Sequence, residues 1–264
     1  MRVGIITGSG SYVLPHLADG VPGRVVTRFG TAELTRGTFA GVDVVYVSRH
    51  LPGHRLLSSQ VRHRANIVAL AEAGVDAIVA VTLCGSLDPA LPPGALIVFD
   101  DLYFPSNRLP DGTLCTLHDD PGVSGRGHWI FDMPFSQPLR EALLAGARGA
   151  GHPARDGGCY GHTDGPRFNT RAELRTLAQA GVNAVSQTAG PETVLAGEAG
   201  VPYALLGFIT DFANGIRPDD PTPVAELARL LDASGDIVAE VLAATLPVIP
   251  PAGLGPVGTR LSWD

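Results

Sequence analysis

Gly8-Ser9-Gly10-Ser11 follows a short apolar run and joins two features of an anion site. Its glycines let the backbone approach a ligand closely, and Ser9 adds a hydroxyl donor. Read alone, such a stretch is more often just a turn. A dinucleotide site would need GxGxxG and an acid about 20 residues later; GSGSYV lacks the third glycine. Arg49-His50 closes a second apolar run. Arginine's planar fork matches phosphate, and a neighbouring histidine can donate a further hydrogen bond. Locally the pair reads as solvated surface. Thr82, just before Cys84-Gly85-Ser86, and Thr188 close two further runs. Ligands of open α/β sheets collect outside the carboxyl ends of the strands. Ser9, Arg49, His50, Thr82 and Thr188 therefore make together an oxyanion pocket that none makes alone. The sequence contains no lysine: all 19 basic residues are arginine. This excludes lysine Schiff bases, pyridoxal-phosphate anchoring and a Walker-type lysine.

The elements that must position these residues alternate. Residues 3–7 (VGIIT), 42–47 (VDVVYV), 76–82 (DAIVAVT), 95–99 (ALIVF), 158–163, 184–188 and 203–210 (YALLGFIT) read as strands, most of them buried apolar runs. Helical spacing covers 60–74, 138–150, 170–180, 192–199 and 223–246. Residues 105–127 are polar and rich in Gly, Pro and Asp, the composition of a long and mobile loop. The stretch 247–264 reads as an irregular tail. The pattern predicts a single α/β domain over 1–264, a three-layer sandwich with a mixed, largely parallel sheet flanked by helices.

Composition narrows the partners. With 45% hydrophobic and 17% charged residues the 264-residue chain can bury a sizeable core. A net charge of −7 disfavours nucleic acid. Cys84, Cys115 and Cys159 are widely spaced and odd in number, which argues against a disulfide framework and for a reducing cytoplasm. No secretory signal pattern and no membrane-length apolar run is read, so neither export nor a membrane is expected.

The remaining motifs are distinctive. GPRFNTRAEL carries Phe168 and Asn169; SQTAGPETVLAGEAGVPYA carries Gln187 and Thr188; TDFANGI carries Asp211 and Ala213. With GIITGSG, SRH, RANIVAL and VTLCGSLDPALPPGALIVFDD, in this order, nearly the whole chain resembles the homotrimeric branch of the purine nucleoside and 5′-methylthioadenosine phosphorylases. The resemblance implies phosphate-dependent cleavage of a nucleoside, with inorganic phosphate as co-substrate and no cofactor or metal. It implies phosphate held by Ser9, Arg49, His50, Thr82 and Thr188. Phe168 would pack on the purine. Asp211 would act at N7 and the 6-substituent. Gln187 takes the place of a methionine beside the ribose. Leu83, Asn169 and Ala213 would line the nucleoside pocket, and Val224 its 5′ end. His128 would reach the 5′ end of a neighbouring subunit's ribose.

This chain departs from the family pattern at Leu51, Asn169, Gln187, Gly190-Pro191 and Ala213. The changes cluster around base and ribose, while the phosphate ligands are retained. A buried, protonated Asp211 can donate to N7, and its other oxygen suits a 6-amino group. Asp211 therefore points to 5′-methylthioadenosine or another 5′-modified 6-aminopurine nucleoside. A 6-oxopurine nucleoside, and a binding protein without turnover, are the alternatives; Asp211 as a plain helix N-cap is the simplest structural one.

Overall fold

The structure, a computed structural model, describes every residue except Val123, Pro218, Asp220, Pro256 and Asp264. The chain runs β1 (Arg2–Thr7), β2 (Ala18–Thr27), β3 (Gly30–Phe39), β4 (Val42–Ser48), α1 (His63–Glu72), β5 (Ala77–Ser86), β6 (Leu96–Val98) and β7 (Asp101–Tyr103). It continues with β8 (Gly127–Phe131), α2 (Gln137–Gly149), β9 (Ala154–Asp156), β10 (Cys159–His162), α3 (Arg171–Gln179) and β11 (Val182–Ser186). Then follow α4 (Ala189–Glu198), β12 (Tyr203–Phe212), α5 (Val224–Thr245) and β13 (Gly258–Ser262).

Period-two alternation on buried strands sets the layers. Val3, Ile5, Val79, Val81, Leu206 and Phe208 pack with Leu139 and Leu143 of α2 and Val238 and Leu242 of α5. Their neighbours Ile6, Ile78, Ala80, Leu205 and Ile209 pack with Ala65 and Leu70 of α1 and Leu195 and Ala196 of α4. Both faces of the sheet are covered, which is why these strands are unbroken apolar runs. The expected α/β sandwich is what forms.

The ten-residue β5 organises the sheet. Its first half lies parallel to β1, and β12 runs parallel along its whole length. At Gly85 and Ser86 the far edge takes up β11 in antiparallel register. The carboxyl end of β5 is therefore held between β12 and β11, where side chains of all three meet. The sheet orders as β2-β3-β4-β1-β5-β11-β10-β7, with β12, β6 and β9 branching from β5.

Three sequence expectations change. Residues 18–39 form a hairpin that local patterning missed, because β2 is exposed over nearly its whole length and carries Pro22. Within residues 247–264, Gly258–Ser262 is a strand, antiparallel to β8. A pairing partner some 130 residues away leaves no local signal. The stretch 105–127 is indeed mostly loop, yet its middle is fastened. Arg64 donates to Leu114 O (2.7 Å) and Thr116 O (2.8 Å), and the Glu198 carboxylate accepts from Thr116 Oγ1 (2.9 Å) and Leu117 N. Cys115 and Leu117 are buried in the core. No helix of the described residues is long and apolar enough to cross a membrane.

Gly146 is where α2 touches α5. A Cβ there would lie 2.7 Å from the Thr245 backbone nitrogen. Gly to Ala in an open helix gains about 0.5–1 kcal/mol, but overpacking against backbone costs about 1–3 kcal/mol. The second effect should win: Gly146→Ala is expected to lower the thermal midpoint, read by circular dichroism, and an increase would contradict this packing.

Candidate active site

Arg49 follows β4 immediately and is 1% exposed. Its fork does not face solvent. Nε donates to Glu192 Oε1 (2.7 Å) and Nη2 to Glu192 Oε2 (2.9 Å), a bidentate pair, while Nη1 donates to Val81 O (2.7 Å). Glu192 lies in the first turn of α4, where a carboxylate suits the helix dipole, and it also accepts from the Tyr203 hydroxyl (3.1 Å). Burial disfavours the Arg49 cation; the Glu192 carboxylate outweighs that and holds the guanidinium above its ordinary value. The surface-pair reading of Arg49 is thus corrected, and Glu192 emerges as the residue that sequence reasoning quoted without a role.

Arg49 still has guanidinium hydrogens to offer, and Gly8 makes room for them. A Cβ on Gly8 would stand 2.6 Å from Arg49 Nη1 and 3.5 Å from His50 Nε2. The two side chains converge on the space that Gly8 leaves open. The turn behind it is closed by Ser11 N donating to Gly8 O (3.1 Å). Gly10 takes φ 77° against α5, where a side chain would strike Ser234 Oγ. Ser9 is half-buried at the crest.

The other hydroxyls come from the far side of β5. Thr82, next to the Val81 carbonyl that binds Arg49, is buried and donates to Ser186 Oγ (2.9 Å) at the end of β11. Thr188 is buried at the N-cap position of α4, and its side chain makes no capping bond. Its helix is the one that carries Glu192. β5 continues to Ser86, so Thr82 lies within the strand and not at its end as the apolar run suggested. The Gly8 loop adjoins Arg49 and His50, Thr82 follows the Val81 that binds Arg49, and Thr188 opens the helix that carries Glu192, an arrangement suited to an oxyanion.

His50 is buried, with Nδ1 donating to Leu56 O (2.9 Å). Burial first, and then the Arg49 cation, pull its pKa down to about 4. Deeper in, His63 and His162 are pulled down to about 3 by burial. Among the described residues neither ring nitrogen of His63 has a hydrogen-bond partner, and its Nδ1 lies 3.9 Å from Glu192 Oε1.

Asp211 sits beyond the phosphate side. A bulge at Thr210 shifts the β12 register, pairing Ile209 with Cys84 but Asp211 with Gly85. The carboxylate is thereby laid over Gly85, where an added Cβ would sit 3.4 Å from Oδ2. Oδ1 accepts from Thr210 Oγ1 (2.8 Å), and Oδ2 is the oxygen beside Gly85. Desolvation raises the Asp211 pKa, with the Thr210 bond opposing it. Asp211 is a strand residue, not a helix cap. Ala213 is buried beside Gly85, and half-buried Leu83 lies near Gly10.

Other expected nucleoside contacts are placed differently. Gln187 is tied on both ends of its amide: Ser58 Oγ donates to Oε1 (2.7 Å), and Nε2 donates to Arg167 O (2.9 Å). It thus holds the loop that carries Phe168, which is 84% exposed. Asn169 turns its amide to Glu173 Oε2 (3.2 Å), where it supports the capping box of α3. Val224, the first residue of α5, is 83% exposed. His128 lies on the β8–β13 ribbon, edge-on to Trp263, and its neighbour Trp129 packs on Gly197. That is the opposite end of α4 from Thr188, roughly 13 Å along the helix axis. The structure does not bring His128 to its own chain's cleft. Among the described residues no three His, Cys, Asp or Glu side chains converge as a metal set.

The buried histidines fix a pH dependence. An unfolded histidine takes up a proton near pH 6.5, whereas His50, His63 and His162 resist until about 4, about 3 and about 3. Between about pH 6.5 and 4 the unfolded state binds more protons, so stability falls as pH falls. The midpoint of urea unfolding is expected to drop across that window, and less steeply in His63→Leu. An unchanged slope in that variant would show that His63 does not titrate with folding.

The comparisons agree with this geometry. The phosphorylase superfamily profile matches residues 2–246. A probable 6-oxopurine nucleoside phosphorylase from Moorella thermoacetica is 34% identical over 95% of this chain and 94% of its own. An S-methyl-5′-thioadenosine phosphorylase from Bradyrhizobium diazoefficiens is 34% identical over 89% of this chain and 79% of its own. Among solved structures, methylthioadenosine phosphorylase from Schistosoma mansoni in complex with adenine superposes with TM-score 0.84 at 30% identity, covering 94% of this chain and 91% of that one. With the profile spanning nearly the whole chain, this protein belongs to the phosphorylase superfamily.

Proposed function

We propose that this protein cleaves the N-glycosidic bond of a purine nucleoside with inorganic phosphate, and that its substrate is 5′-methylthioadenosine or another 5′-modified 6-aminopurine nucleoside. Phosphate in the Gly8–Arg49–His50–Thr82–Thr188 cradle stabilises the oxocarbenium-like sugar and attacks C1′. The C1′–N9 bond breaks, its electron pair passes to the purine, and a proton at N7 completes the leaving group. The products are free base and a 5-modified ribose 1-phosphate. Asp211 carries the base assignment. Its raised pKa lets it hold a proton for N7, and a carboxyl oxygen can accept from a 6-amino group. Asn169, the other candidate for reading the base, is engaged with Glu173.

The relatives' names divide between 6-oxopurine nucleosides and S-methyl-5′-thioadenosine. This keeps a 6-oxopurine nucleoside as the second reading. Exposed Phe168 and Val224 also favour a pocket completed by a neighbouring subunit, with His128 supplied in trans in a homotrimer.

The test is release of free base from methylthioadenosine, adenosine, methylthioinosine and inosine, with and without phosphate. Release from the 6-amino nucleosides that requires phosphate is expected. Release without phosphate would overturn phosphorolysis; release from the 6-oxo pair alone would reassign the base. Asp211→Asn should cost more on 6-amino than on 6-oxo substrates, by roughly tenfold or more in kcat/KM.

A further inference from the structure

His50 faces the phosphate cradle in a fixed tautomer. Its Nδ1 lies 2.9 Å from Leu56 O. A carbonyl oxygen only accepts, so Nδ1 carries the hydrogen. A neutral imidazole has just one, so Nε2 presents a lone pair. The Cδ2–Nε2 edge of the ring borders the gap at Gly8, where a Cβ would stand 3.3 Å from Cδ2, 3.5 Å from Nε2 and 2.6 Å from Arg49 Nη1. To donate to an anion there, His50 would have to become a cation.

The groups around it do not favour that. Arg49 adjoins it, and the nearest carboxylate, Glu192 on α4, is already matched by the two bonds from Arg49. On its other face His54 stacks at 4.4 Å, nearly parallel, with its own Nδ1 bonded to the Tyr12 hydroxyl (2.9 Å). From α1 comes His63, itself buried and held neutral. No unmatched negative group is among these neighbours to support an imidazolium.

We infer that His50 Nε2 accepts the hydrogen of a protonated phosphate oxygen, so that the cradle selects HPO4²⁻ and discriminates against fully deprotonated tetrahedral dianions such as sulfate. Arg49 and the Thr188 hydroxyl serve the bare oxygens, which both anions offer. The P–O–H group is what phosphate has and sulfate lacks. Facing Nε2, sulfate meets lone pair against lone pair unless His50 first takes a proton from solvent. Sites that hydrogen-bond one group of a ligand reject analogues lacking it strongly, because the protein atom is left unpaired. The inference rests on the phosphate role of this cradle proposed above.

Titration calorimetry of the intact chain with inorganic phosphate and with sulfate, in buffers of different ionisation enthalpy, tests it. From about pH 7 to about 8.5 the phosphate Kd, expressed per HPO4²⁻, should stay flat with no proton taken up. The sulfate Kd should rise roughly tenfold per pH unit, with about one proton taken up per sulfate bound. Undetectable sulfate binding beside measurable phosphate binding also upholds the inference. His50→Gln, whose amide can turn an N–H to the anion, should bind sulfate without pH dependence. Equal affinities and equal pH profiles for the two anions in the unaltered chain would overturn the inference while leaving the phosphate site standing. Binding of neither anion would overturn both.

Discussion

A fully buried ion pair, Arg49 with Glu192, is the constraint on which the rest of the site depends. Taking a guanidinium and a carboxylate out of water costs several kcal/mol per ion, recovered only when geometry is good and the remaining hydrogens are bonded. Here the pair is bidentate, with Val81 O and the Tyr203 hydroxyl closing the network. Removing one member of such a pair costs about 3–5 kcal/mol. This one network ties the end of β4 and the middle of β5 to α4 and β12. Thr188 is placed by the same helix, and His50 by the same turn. The network leaves Arg49 cationic and immobile, with hydrogens aimed at the gap beside Gly8. An anion arriving there meets a charge that is already ordered and desolvated, which is where electrostatic preorganisation has most effect.

The nucleoside half is built by different means. Asp211, the polar group proposed for it, is turned over a glycine by a bulge, and the loop that carries Phe168 is tied through Gln187. Both are local departures from regular structure. The proposed anion side is therefore closed and charged, and the proposed nucleoside side is open.

How much was legible follows from burial. Strands β1, β4, β5 and β12 are covered on both faces and announce themselves as apolar runs. Exposed β2 and the ribbon of β8 with β13 do not, since their partners are set by long-range pairing. Ser9 and Arg49 could be placed just beyond strand ends because that follows from the fold class, whereas Thr82 lies within β5, which runs four residues past the apolar stretch that announced it. Directions of side chains could not be read. Arg49 looks like surface in sequence because nothing local shows that Glu192 will meet it 143 residues later. Nothing local shows that the Asn169 amide will turn to Glu173 beside the capping box of α3. The signal available for Glu192 was a lone acid in the otherwise apolar and small first turns of α4.

On the proposed function, an anion occupies the space that Gly8 leaves open beside Arg49 and His50. Gly8 does not take a positive φ, so alanine is conformationally allowed there. Its Cβ would occupy the space 2.6 Å from Arg49 Nη1. The direct measurement is titration calorimetry of inorganic phosphate against the native chain and Gly8→Ala, with unfolding followed in parallel. The account predicts saturable phosphate binding to the native chain, weakened at least roughly tenfold in Gly8→Ala by overpacking of the cradle. Undiminished phosphate binding by a folded Gly8→Ala chain would contradict it.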